Sequence, residues 1–146
     1  MILSPKEEAA YMLSIFKDWT HCYNTIVSHL NTIHSRQQTL LTLATLTLTI
    51  TGFSGPKMAA SNYVSRYSMI VGISMVLITI IMILVTSLKL NWFTQIKAEN
   101  QKETLEILII LRNKRNNIFK IELVFLSIGL FLYVVAVIGY LFLAKG

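Results

Sequence analysis

Gln38, Thr42, Thr45 and Thr49 recur every three or four residues through a 20-residue stretch that holds no Asp, Glu, Lys or Arg. On a helix that spacing puts one amide and three hydroxyls on a single face. Such groups can hydrogen-bond water or replace part of an ion's hydration shell, which is what the wall of a narrow pore must do. A pore lining is therefore one reading of the stripe. Helix packing is the other. Threonine also donates to its own preceding turn, and small polar residues are common where membrane helices meet. The same polar register begins earlier, at Ser14, Lys17, His21, Asn24, Ser28, Asn31 and Ser35, and ends at Gly52. The arm would then continue the pore as a vestibule.

The opposite register of the arm is apolar. Phe16, Trp19, Tyr23, Ile26, Leu30 and Ile33 form an aromatic-rich seam on an amphipathic helix. A seam of this kind must be buried. Within the chain its best partner is the apolar face around Leu105, Ile107, Leu108, Ile110 and Leu111. A neighbouring copy, a second protein on the arm or the membrane surface would also cover it.

Other chemistry is sparse. His21, Cys22, His29 and His34 are the soft ligands, and no two of them stand at the i, i+4 spacing that would share a metal. There is no P-loop, GxGxxG, HExxH or CxxC pattern. The expectation is no catalytic residue, no metal, no cofactor and no enzyme. The one cysteine cannot form an internal disulfide. Glu122 stands two residues from Lys120 at the edge of an apolar stretch and reads as half of an interfacial ion pair, so no acid is expected inside a span.

These residues must be positioned by membrane helices. Of 146 residues, 54% are hydrophobic and only 14% are charged, well below the roughly 25% charge of soluble domains. Three stretches carry no charge: between Arg36 and Lys57, between Arg66 and Lys89, and between Glu122 and Lys145. Each just reaches the ~20 residues a helix needs to cross the hydrocarbon core. The first alternates Thr and aliphatic residues over 45–51 like a strand, but a lone strand in lipid would leave its backbone unpaired. The chain is thus read as an all-α membrane protein of one domain, residues 1–146. It comprises a cytoplasmic amphipathic arm (1–36), a first span (37–55), a second span (67–88), cytoplasmic helices (89–120) and a third span (121–144).

Ten Lys and Arg fall on the side of the arm and the segment between the second and third spans, against three on the other side. The positive-inside rule then puts the N-terminus in the cytoplasm and the C-terminus outside; the expected membrane is a bacterial inner membrane. The net charge of +6 is a topology signal, and no nucleic acid is expected as a partner. Glu7, Glu8 and Asp18 interrupt the first 36 residues, so they do not read as a signal peptide.

Ser4 and Pro5 mark a helix start. With no Gly or Pro until Gly52, the arm and first span are expected to form one rod, broken at Gly52, Gly55 and Pro56 and followed by an external loop over 54–66. A turn is expected near Glu99–Gln101, then an amphipathic piece over 102–117. Gly72, Thr79 and Thr86 form a second polar line able to face the first. Ala136-x-x-Gly139 permits close helix approach, and Trp92 and Phe93 suit an interfacial anchor.

In topology alone, a membrane hairpin joined to cytoplasmic helices resembles the small multi-span effector subunits of bacterial anti-phage systems, the SLATT type among them. The third span departs from their two-span pattern. The resemblance implies pore formation. The expected function is a homo-oligomeric ion channel or pore in the lipid bilayer. The alternative is a non-conducting scaffold or accessory subunit of a larger complex.

Overall fold

The structure is a computed structural model that describes residues 3–61, 63–88 and 100–143. All the regular structure among them is helical: α1 (Pro5–Phe16), α2 (Trp19–Ser61), α3 (Tyr63–Leu88) and α4 (Gln101–Leu143). The chain divides into two compact units. One comprises Met1–Arg36 with Leu90–Phe119, the other Gln37–Lys89 with Lys120–Gly146. Both α2 and α4 contribute to each unit.

In the first unit, α1 opens on a capping box. The Ser4 hydroxyl accepts the Glu7 N–H, and the Glu7 carboxylate accepts the Ser4 N–H at 2.9 Å. These bonds hold the Glu7 carboxyl below its ordinary range. The expected single rod is interrupted once, after α1; from Trp19 the arm and the first apolar stretch do run as one helix, α2. Lys17 takes a left-handed conformation, φ 51°, and its N–H closes on the Leu13 carbonyl. Asp18 then restarts the helix, its carboxylate accepting the Thr20 N–H at 3.0 Å and its carbonyl the Cys22 N–H at 3.3 Å. Glycine or asparagine usually supplies such a cap, so a lysine gave no warning.

The break is repaid by packing. It lets Ala9 and Met12 of α1 join Cys22, Ile26 and Leu30 of α2 and Leu105, Leu108 and Ile109 of α4 in one buried cluster. Each fully buried aliphatic side chain there contributes about 1.5–3 kcal/mol. At the edge of this cluster Arg112 makes a two-pronged ion pair with Glu8, at 2.8 and 2.9 Å.

In the second unit, α2 does not stop at Gly52, Gly55 and Pro56. It continues to Ser61, and α3 begins at Tyr63, which overturns the expected break and the external loop over 54–66. Proline removes one helical hydrogen bond, but the turns around it have their own contacts. Gly55 is buried, and Met58 packs with Met69 of α3 and Ala136 of α4. α3 and α4 cross closely at Gly72 and Gly129. A Cβ on Gly72 would stand 3.0 Å from the Gly129 carbonyl oxygen. Gly72 therefore serves this crossing, and the line it forms with Thr79 and Thr86 faces into the unit, away from the Gln38 stripe.

α3 and α4 are long and apolar enough to cross a membrane. Only 28% and 22% of their most apolar windows are buried within the chain, where the core helix of a soluble protein would be mostly buried. The threonine-rich part of α2 is less apolar and is not one of these helices. α4 is continuous, so residues 102–117 and the third apolar stretch belong to one helix. The turn before it is seen at Asn100, whose carbonyl accepts the Thr104 N–H. Trp92, Phe93 and Glu99 lie outside the described residues.

Candidate functional site

Gln38, Thr42, Thr45 and Thr49 all lie on the exposed side of α2. They run between exposed aliphatic residues, Leu43, Leu46 and Ile50. The helix period that brings them together turns Gln37, Leu40, Ala44 and Thr51 to the inside of the unit, where they are buried. Each threonine hydroxyl of the stripe donates to its own helix. Thr42 bonds the Gln38 carbonyl at 3.0 Å, Thr45 the Leu41 carbonyl at 3.0 Å and Thr49 the Thr45 carbonyl at 3.0 Å. The single donor of each hydroxyl is thereby occupied, and its oxygen lone pairs still accept. The surface is a row of acceptors set in an apolar band.

A second polar group lies inside the same unit. Glu122 of α4 is fully buried. Its carboxylate accepts the Gln37 Nε2 hydrogen at 2.9 Å and lies 3.5 Å from the Thr86 hydroxyl of α3. One carboxylate thus ties together α2, α3 and α4. This corrects the expected interfacial pair with Lys120. Residues two apart stand about 200° around a helix and do not face each other, so Lys120 is exposed while Glu122 points inward. Burying a carboxylate is costly unless it is hydrogen-bonded, and Gln37 supplies that bond.

Sequence reading passed over Gln37 because it chose the neighbouring Gln38 as the start of the stripe. The usable signal was the pair of adjacent glutamines, which stand about 100° apart around a helix, so that one lies on the outer face while the other turns inward. A single acid in a 22-residue gap's first flanking position gave no such hint.

The arm seam divides. Ile26 and Leu30 are buried in the cluster with Leu105 and Leu108, and Trp19 and Tyr23 pack against it, their rings 6.2 Å apart. Ile33 is half-buried, while Phe16 is exposed and sits 4.7 Å from the His21 ring. The partner face uses Ile109, while Ile110 points outward. The structure thus gives much of the seam a partner inside the chain. Among the described residues no group of three or more His, Cys, Asp or Glu is placed to hold a metal. No protein-family model, curated protein or solved structure matches the chain.

Proposed function

We propose that the chain is a small integral membrane protein that assembles with copies of itself around the Gln38–Thr49 face of α2 and conducts ions there. The N-terminus lies in the cytoplasm and the C-terminus outside, as the ten-to-three division of Lys and Arg requires, and the membrane is a bacterial inner membrane. All three apolar stretches cross it, the threonine-rich one included, because self-association covers its polar face.

One observation carries this reading: the four stripe residues are exposed in a row along α2, between exposed Leu43, Leu46 and Ile50. A polar row facing lipid is unfavourable, and a shared aqueous axis removes it from lipid. The stripe bears no charge, so the pore discriminates weakly between ions.

A non-conducting scaffold is the second reading, and the occupied threonine donors favour it. A helix whose hydroxyls are already bonded needs no water beside it and packs directly on another helix. The oligomeric state in native-like discs separates the two. A closed ring of four or more copies supports the pore. A monomer, or a chain stable only with a second protein, supports the scaffold.

A further inference from the structure

Within the first unit, α2 and α4 border an open cleft of about 340 Å³. His29, Thr32 and Arg36 line it from α2, and Arg112, Asn113 and Asn116 from α4. The spacing is that of one helix face on each side. We propose that this cleft binds a phosphate group.

Among the described residues no carboxylate borders the cleft. The one that touches Arg112, Glu8, is consumed by the two-pronged pair. Asn113 accepts from Arg112 Nε and NH2 at 3.2 and 2.9 Å, so its carbonyl oxygen is occupied and its amide hydrogens are the part left to bind. Arg112 is thereby fixed in orientation and keeps an uncommitted N–H on NH1. Arg36 makes no ion pair among the described residues and brings a full positive charge with five donors in a planar fork. Asn116 adds a further amide and His29 a ring nitrogen.

A cleft so rich in donors and positive in net charge complements a compact anion with several acceptor oxygens. Phosphate meets that description, and the arginine fork matches it bidentately. The volume lies at the small end of ligand sites, enough for a phosphate or a headgroup and too small for a nucleic-acid segment. Two sources offer this chemistry. One is a soluble phosphate compound. The other is an anionic lipid headgroup, since Arg36 directly precedes Gln37, where the unit of apolar helices begins.

The test uses the full chain in maltoside detergent, which contains no phosphate. Inorganic phosphate is titrated by calorimetry against chloride at equal ionic strength. Short-chain phosphatidylglycerol, with phosphatidylcholine as control, is titrated in parallel and its retention counted by native mass spectrometry. Arg36→Gln and Asn116→Leu are compared with the wild type, with helicity and melting temperature as fold controls, since both residues are exposed. Loss of the arginine fork should weaken binding about tenfold or more.

Phosphate binding lost in Arg36→Gln identifies a soluble ligand. Lipid retained selectively by the wild type and lost in Arg36→Gln, with no response to free phosphate, identifies a headgroup. No binding of either probe, or binding equal in wild type and both variants, overturns the proposal.

Discussion

Truncating Glu122 to alanine leaves the Gln37 amide, 2% exposed, without its acceptor. An orphaned buried donor costs about 1–3 kcal/mol, so Glu122→Ala should lower the melting temperature by several degrees. The pair Gln37→Leu with Glu122→Leu removes both polar groups and should recover much of that loss, because apolar side chains of similar volume need no partner. A double-mutant cycle in detergent measures the coupling. Equal and additive losses would mean the bond is not a structural tie.

At the same scale, Cys22 is fully buried, and burial, reinforced by the Asp18 carboxylate, pushes its thiol up from the ordinary 9.0. The native protein should resist maleimide at neutral pH and label fully once denatured. The sign of the pH effect follows. The folded state holds the thiol neutral more strongly than the unfolded state does, so its contribution is complete below the ordinary thiol value and is lost as pH rises above it. Alkaline melting should therefore show a decline that Cys22→Ala removes. Of these residues the sequence exposed Cys22 as unpaired. It hid Glu122, because adjacent charges suggest a pair in one dimension that helix geometry forbids in three.

Among the elements, the glycines give opposite predictions. A methyl group on Gly129 would lie 2.9 Å from Val76 Cγ2 and 3.1 Å from the Gly72 carbonyl oxygen. Gly129→Ala should force α3 and α4 apart and cost about 1–3 kcal/mol. Gly52 has nothing within 4 Å of the same position and lies within a helix, so Gly52→Ala should be neutral or should stabilise α2 by up to about 1 kcal/mol. Thermal melts of the two variants in one detergent check both. A Gly129→Ala protein as stable as wild type would contradict the close crossing.

Helix content and the start at Ser4 and Pro5 were legible because composition and capping chemistry are local. The ends were not. Gly52, Gly55 and Pro56 look like a terminator, yet tertiary contacts at Gly55 and Met58 carry the helix through them. Lys17 looks like helix interior, yet it is the cap. In both places packing outweighs a local preference of about 1–3 kcal/mol.

For the whole molecule, the proposed topology puts the termini on opposite sides. Reporter fusions should report a cytoplasmic N-terminus and an external C-terminus. Both on one side would mean that the threonine-rich part of α2 does not cross. Two helices long and apolar enough to cross a membrane were legible from the second and third charge gaps. The position of the stripe on the outside of its unit needed the structure, because periodicity shows that residues share a face and leaves open what that face meets.

The most direct measurement is ion flux through liposomes holding the purified chain, compared with Thr45→Leu/Thr49→Leu. Leucine preserves the helix and removes two acceptors from the stripe. The pore account predicts that wild-type liposomes release a trapped ion and that the double variant, inserted at equal density and in the same oligomeric state, does not. Wild-type liposomes that stay tight, or a variant that leaks equally, would contradict it and leave the stripe as a packing surface.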